Sequence, residues 1–172
     1  MSKTNKNIKM HGNPVEVTGN EMTVGSTLPD ITLTGPDLAD VQLKASSGKV
    51  LVLSVVPSLD TPICALQTKR FNSEAAKLSK DVEIITVSRD LPFAQKRWCG
   101  AEGADQLTVL SDYKHRTFGQ AFGVDMEAAG LLARAVFVFG KDSTAKLVQY
   151  VDEVTEEPNY DEVLKAVAGE LD

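Results

Sequence analysis

The stretch VLVLSVVPSLDTPIC, residues 50–64, joins a buried β-strand to the start of a helix. Its first seven residues, 50–56, are almost all apolar and rich in valine, which is typical of a strand covered on both faces. Pro57 ends that strand, and Pro62 supplies the preset φ angle that favours a helix start. The stretch therefore places Cys64 in the first turn of a helix, at or near the second or third helical position.

That position favours a reactive thiol at Cys64. Phe71, Ala75 and Leu78 repeat at helical spacing behind it, which predicts a helix over 63–79. A helix N-terminus carries unpaired N–H groups and about half a positive charge, and it can lower a cysteine pKa from about 8.5 to between about 3.5 and 7.5. We therefore expect Cys64 to be a nucleophile.

Strands and helices alternate along the rest of the chain. In chain order we predict strand 50–56, helix 63–79, strand 82–88, helix 92–99, strand 107–110, helix 115–122, strand 135–139, strand 146–151 and helix 160–169. A βαβαβ order predicts parallel strands, and the later hairpin adds antiparallel ones. The prediction is an α/β protein of thioredoxin-like fold, with a mixed central sheet flanked by helices, although periodicity alone is shared with other small α/β folds.

The residues before this pattern predict smaller elements. Residues 8–18 resemble a β-hairpin, so we interpret 1–18 as an N-terminal tail and hairpin. Short strands are expected at 31–33 and 41–43, separated by a turn-rich segment. A length of 172 residues fits one domain, and we expect a single domain over 1–172.

Composition excludes several classes of function. Hydrophobic residues make up 42% and charged residues 24% of the chain, close to the globular norm, and no apolar run is long enough for a bilayer span. The net charge of −6 comes without a basic stripe, so we expect neither nucleic-acid nor membrane binding. The N-terminal residues lack the apolar stretch of a secretory signal, so a cytoplasmic location is the expectation.

The second cysteine, Cys99, contrasts with the first. Pro92 and Gly100 bracket a predicted helix, which puts Cys99 at its C-terminus. The helix dipole disfavours an anion there, so this thiol should stay protonated at neutral pH unless a cation such as Lys96 or Arg97 intervenes. Two unequal cysteines suit a peroxidase, in which one sulfur attacks a peroxide and the other resolves the sulfenic acid.

Three separate motifs resemble the peroxiredoxins. Pro57, Thr61 and Cys64 fall on the Pro-x-x-x-Thr-x-x-Cys motif of that family, and the intervening residues are similar to its thiol peroxidase branch. Residues 90–103 resemble the resolving-cysteine segment of the branch, and residues 131–136 resemble the strand that carries its active-site arginine. The resemblance extends from about Gly12 to the C-terminal helix.

The resemblance implies a role for each site residue. Cys64 would be the peroxidatic cysteine, and Cys99 the resolving cysteine of the same chain. Thr61 would hold the peroxide and the thiolate, Arg134 would lie beside the sulfur, and Pro57 would shield the pocket from water. The resemblance also implies peroxide substrates, reduction by thioredoxin without a bound cofactor or metal, and a homodimer formed through the face that bears the active-site loop.

Each residue also has a structural interpretation. Either cysteine could fill an apolar gap as an inert side chain, and Thr61 could simply cap the helix. Arg134 could be a surface charge, although its apolar neighbours favour an inward-facing role. The two histidines, His11 and His115, have no Cys-x-x-Cys partner, which argues against a zinc site, and nothing local brings either of them to Cys64 for hydrolase chemistry.

Two other functions remain open from the sequence. A redox-sensing binding protein would use the same disulfide to change a partner surface, with peroxide as a signal. A structural disulfide domain would form a bond that resists thioredoxin. Catalytic turnover separates the enzyme from the sensor, because a sensor oxidises once per chain.

Overall fold

The computed structural model describes residues 3–4, 6–45 and 48–172. Within them it has eleven strands and four α-helices. The strands are β1 (Lys9–Met10), β2 (Asn13–Pro14), β3 (Thr32–Thr34), β4 (Asp40–Gln42), β5 (Val50–Val55), β6 (Val82–Ser88), β7 (Thr108–Ser111), β8 (Asp125–Met126), β9 (Leu131–Leu132), β10 (Ala135–Phe139) and β11 (Ala145–Tyr150). The helices are α1 (Pro62–Lys77), α2 (Pro92–Glu102), α3 (Phe118–Phe122) and α4 (Tyr160–Leu171).

Seven strands form the central sheet in the order β11-β10-β5-β6-β7-β3-β4. Strands β5, β6 and β7 are parallel, whereas β10 pairs antiparallel with β5 and β3 pairs antiparallel with β7. This topology confirms the mixed sheet flanked by helices that the sequence predicts for a thioredoxin-like fold. The carboxyl ends of the three parallel strands meet at one edge of the sheet, where α1 and α2 begin.

Strand β5 is buried on both faces, as predicted. Val50 and Val52 pack on one face with Phe71 of α1 and Val163 of α4. The intervening residues of β5 point to the opposite face and pack with the apolar cluster that includes α3. Because side chains alternate along a strand, a continuous apolar run is what two covered faces require.

Helix α2 is longer than the sequence predicts. It continues through Gly100 to Glu102 and ends at Gly103, which adopts the left-handed conformation with φ 65°. Gly100 is exposed and helical, so it does not act as the terminator. Cys99 therefore lies in the last turn of α2 and not at its final residue. The predicted end of the helix, at residue 99, was three residues too early.

Smaller differences concern the other elements. The helix predicted at 115–122 begins only at Phe118, and the strand predicted at 107–110 begins and ends one residue later. Strands β8 and β9 form a two-stranded sheet that the sequence does not predict. Such short strands give too few residues for a period-two pattern to be recognised. Among the described residues, no helix is both long and apolar enough to cross a bilayer.

The predicted N-terminal hairpin is present as β1 and β2, although residues 1, 2 and 5 of the predicted tail lie outside the described residues. The Glu153 carboxylate holds the hairpin turn by accepting hydrogen bonds from the His11 and Gly12 amides, each at 2.9 Å. It also accepts a bond of 2.6 Å from the Thr155 hydroxyl. The Thr155 hydroxyl and then the Gly12 amide lower the pKa of Glu153 from 4.5 to about 2.

This shift predicts a pH-dependent attachment of the hairpin. Because the pKa of Glu153 is lower in the folded chain, the bonds stabilise the folded state above pH 4.5 and are lost as the pH falls toward about 2. NMR titration of the Gly12 amide should show no transition near pH 4.5. A Glu153→Gln variant is the control. In this variant the Gly12 amide resonance should no longer show the change that protonation of the Glu153 carboxylate causes. A Gly12 transition centred near pH 4.5 in the unmodified chain would contradict the prediction.

Candidate active site

Cys64 is the third residue of α1. The helix starts at Pro62, one residue before the predicted start, and its first internal hydrogen bond joins the Ala65 amide to the Thr61 carbonyl. The amides of Ile63 and Cys64 therefore have no acceptor within the helix, and they place partial positive charge around the sulfur. Cys64 is only 1% exposed. The helix start and the burial together create a dry, electropositive environment for one thiol.

Arg134 supplies a full positive charge to the same sulfur. It lies between β9 and β10, and its side chain crosses to α1, where Nη2 donates to Cys64 Sγ at 3.3 Å. Its Nε donates to the Val154 carbonyl at 2.9 Å. Arg134 is 2% exposed, so bulk water screens its charge weakly. The structure thus brings together Cys64 and Arg134, two residues that are 70 positions apart.

Gln67 is a site residue that the sequence motifs do not predict. Its Oε1 accepts from Arg134 Nη1 at 2.8 Å, and its Nε2 donates to the Ser54 hydroxyl at 2.8 Å. Gln67 therefore positions the guanidinium whose other nitrogen faces Cys64. One sequence signal does point to Gln67. It is a polar residue three positions after Cys64 and four before Phe71, which puts it on the buried stripe of α1.

Thr61 and Pro57 shape the loop before Cys64. Thr61 occupies the N-cap position of α1, but its side chain makes no capping bond and donates instead to the Ser58 carbonyl at 2.8 Å. The structural interpretation of Thr61 as the N-cap is therefore confirmed for its position, although no bond from its side chain caps the helix. With its proton committed to Ser58, the hydroxyl keeps lone pairs that can accept a hydrogen bond from a peroxide. Pro57 is buried just after β5.

Cys99 lies half-buried in α2, and both cysteines are free thiols. Burial raises the pKa of the Cys99 thiol, which keeps it protonated at neutral pH. Its side chain and that of Trp98 pack against a small apolar cluster to which Leu59 and Cys64 belong. The two sulfurs thus share one cluster but have opposite surroundings, because Cys64 receives a hydrogen bond from a cation and Cys99 does not.

The other candidate chemistries find little support in the described part of the chain. His11 and His115 are exposed, and His115 pairs with Asp40 at 3.0 Å. No group of three or more His, Cys, Asp or Glu side chains in the described ranges is placed to hold a metal ion. What the site offers is a buried thiol beside an arginine, with a second thiol nearby. That arrangement suits attack by sulfur on a polarised bond.

Comparison with known proteins identifies similar chains. The model of the Redoxin family matches residues 23–164. A thiol peroxidase of Halalkalibacterium halodurans is 48% identical over 164 residues, which cover 95% of this chain and 98% of the relative. A thiol peroxidase of Streptococcus pneumoniae is 50% identical over 155 residues, or 90% of this chain and 94% of the relative.

Solved structures show the same architecture. A peroxiredoxin-like protein from Aquifex aeolicus superposes with a TM-score of 0.88 at 39% identity, covering 98% of this chain and 99% of its own. The similarity therefore extends over the whole sheet and its helices, including the elements that carry Cys64, Cys99 and Arg134.

Proposed function

Because this chain belongs to the Redoxin family, and to the thiol peroxidases within it, we propose that Cys64 reduces peroxides and that Cys99 completes the cycle. The observation that carries the proposal is the 3.3 Å hydrogen bond from Arg134 Nη2 to Cys64 Sγ in the first turn of α1. A permanent cation and the helix N-terminus both stabilise negative charge on that sulfur. The thiolate is the form that attacks peroxides.

In the first step the Cys64 thiolate attacks the terminal oxygen of a hydroperoxide. The S–O bond forms as the O–O bond breaks, and the leaving alkoxide or hydroxide takes a proton to give an alcohol or water. Arg134 and the free amides at the start of α1 stabilise the charge that develops on the oxygens. Thr61 accepts a hydrogen bond from the peroxide, and Pro57 excludes water from the pocket. Cys64 ends this step as a sulfenic acid.

In the second step the Cys99 thiol attacks the sulfenic sulfur. A disulfide between Cys64 and Cys99 forms, and water leaves. Two electrons from a dithiol of the thioredoxin type then return both cysteines to thiols. The raised pKa of Cys99 supports this division of work, because a protonated thiol does not compete for peroxide.

We also propose a cytoplasmic homodimer. A cycle that restores two thiols needs a reducing compartment, which supports the location. Leu66 near the start of α1 and Leu91 and Phe93 near the start of α2 are large apolar side chains exposed to solvent. Their exposure supports association through the face that bears the active-site loop. Sedimentation analysis of the reduced protein tests the dimer.

Steady-state turnover tests the function. Purified protein with thioredoxin and its reductase should consume many equivalents of hydrogen peroxide per chain, and a bulky organic hydroperoxide measured in parallel reports the size of the pocket. Consumption of a single equivalent would instead identify a redox sensor. A disulfide that thioredoxin does not reduce would identify a structural bond.

The variant Cys99→Ser separates the two chemical steps. It keeps the Cys64 site intact, so we expect it to consume about one peroxide per chain and then to stop as the sulfenic acid. A trapping reagent selective for sulfenic acids should label Cys64 in this variant and not in the fully cycled parent protein. Continued turnover by Cys99→Ser with thioredoxin present would rule out Cys99 as the resolving residue.

A further inference from the structure

Asp90 binds the loop 57–61, which precedes the helix that carries Cys64. The residue follows β6, and its carboxylate accepts hydrogen bonds from the Ser58 hydroxyl at 2.7 Å and from the Leu59 amide at 2.8 Å. Ser88 donates a third bond to the same carboxylate at 2.7 Å. Charged acceptors make stronger hydrogen bonds than neutral ones. The loop just before Cys64 is therefore fixed to the end of β6 by one side chain.

The same carboxylate is linked to the helix of the second cysteine. Gln95 Nε2, on α2, donates to the Ser88 hydroxyl at 3.0 Å and to the Leu110 carbonyl at 3.0 Å. Gln95 is 1% exposed and lies one helical turn before Cys99. A continuous chain of hydrogen bonds thus runs from Ser58 and Leu59 through Asp90 and Ser88 to Gln95. We call these five residues the Asp90 latch.

Packing alone does not fill the space between the loop and α2. A cavity of about 150 Å³ lies there, lined by residues of the loop, by Asp90, and by Ala94, Arg97 and Trp98 of α2. Asp60, Ala94 and Arg97 in this lining are exposed, so the loop and α2 are separated here by a cleft that solvent can enter. The polar chain through Asp90 consequently contributes much of the specific attachment between loop and helix.

We propose that Asp90 is a positioning residue that holds the reduced, peroxide-reactive arrangement, and that the Asp90 latch opens before Cys64 and Cys99 join. This inference rests on the proposed function. The reduced protein holds two unbonded thiols on two different helices, and Cys64 is fixed by Arg134. A disulfide needs the two Cα atoms within about 7 Å and the sulfurs in bonding geometry, and these sulfurs are not bonded, so the proposal requires the loop or α2 to move during the second step.

The proposal predicts opposite effects on the two chemical steps. Asp90→Asn leaves one acceptor oxygen where the carboxylate has two, and it removes the charge that strengthens the bonds to Ser58, Leu59 and Ser88. We expect the reaction of Cys64 with peroxide to slow about tenfold, because the loop loses its fixed position. Disulfide formation should accelerate several-fold. A purely structural role for Asp90 would slow both steps together.

Stopped-flow fluorescence can follow both steps in one experiment. Trp98 is the only tryptophan of the chain, and it packs beside Cys99 against the cluster that contains Cys64. Asp60→Asn is the matched control, because Asp60 is an exposed carboxylate of the same loop. We expect its two rates to stay within twofold of the parent protein. Ser58→Ala, which removes one bond of the latch, should shift both rates in the same directions as Asp90→Asn by smaller factors.

Hydrogen exchange in the reduced protein tests the latch without any peroxide. Asp90→Asn should increase exchange both in the loop 57–61 and in 95–99 of α2. When Asp90→Asn is added to a Gln95→Met variant, exchange should increase in the loop alone, because Gln95→Met has already removed the hydrogen bond between Ser88 and α2. Increased exchange confined to 57–61 in Asp90→Asn, or equal slowing of both chemical steps, would overturn the proposal. These exchange data stand whether or not the protein consumes peroxide, so failure of the latch is distinguishable from failure of the proposed function.

Discussion

Replacing Cys64 with serine should lower peroxide consumption by about a thousandfold or more, because a serine hydroxyl is not ionised near neutral pH and is a poor nucleophile toward an O–O bond. The substitution is nearly isosteric, and the serine Oγ can still accept from Arg134. The contacts of Arg134 with Gln67 and Val154 are also left in place. Loss of activity should therefore occur without loss of the fold.

The measurement is steady-state peroxide consumption with thioredoxin and its reductase present. Thermal unfolding of Cys64→Ser should match that of the parent protein closely, which separates a catalytic effect from a folding defect. Cys99→Ser serves as the internal comparison, since it should still react once. Undiminished turnover by Cys64→Ser would show that another group attacks the peroxide.

The largest effect on stability is expected at Arg89, which lies next to Asp90. Its guanidinium joins two carboxylates that are themselves buried: Nε donates to Asp112 at 3.2 Å and Nη1 to Asp125 at 2.7 Å. Asp112 also accepts from the amides of Phe118 and Gly119 at the start of α3. The network ties β6 and β7 to α3 and β8.

Arg89→Met should lower the free energy of unfolding by about 3–5 kcal/mol, the usual cost of leaving buried charges without their partner. Chemical denaturation checks this value. Arg70→Met is the control, because Arg70 makes a surface pair with Glu74 and lies over the half-buried Tyr160 ring, so its loss should cost about 1 kcal/mol or less.

The pH dependence of that loss identifies its cause. Burial raises the pKa of Asp112. Burial also acts to raise the pKa of Asp125, but the hydrogen bonds from Arg89 and Gln120 outweigh it, so the pKa of Asp125 is lowered. Without Arg89, both folded-state pKa values rise above those of the unfolded chain. The penalty is then present at neutral pH and disappears as the pH falls through the raised values. The difference between variant and parent should therefore shrink as the pH is lowered from 7, and a difference that stays constant on acidification would contradict a charge-based cause.

The local elements around Cys64 could be predicted from the sequence because local rules determine them. Strand β6 matches its prediction residue for residue, and α1 begins one residue earlier than predicted. The apolar run of β5 and the proline at the start of α1 carry strong, short-range signals. The end of α2 was predicted wrongly because an exposed glycine, Gly100, can stay helical at a cost of only about 1 kcal/mol.

The polar contacts could not be predicted from the sequence. Gln67 meets Arg134, and Asp90 meets Ser58 and Leu59, only because the sheet brings distant segments together. No periodicity relates residues 31 or 67 positions apart. The motif of Pro57, Thr61 and Cys64 identified the reacting atom, whereas the groups that hold the loop and the guanidinium in place became visible only in three dimensions.

The direction of the parallel strands also determines where the protein can be modified. The reactive groups gather where β5, β6 and β7 end, so the turn that leads from α1 into β6 lies at the opposite edge of the sheet. Ser79 and Lys80 in this turn are exposed. A fluorophore, an affinity tag or a surface linkage attached at Lys80 is therefore separated from the chemistry by the full length of the strands, and immobilised protein should remain accessible to peroxide and to its reductant.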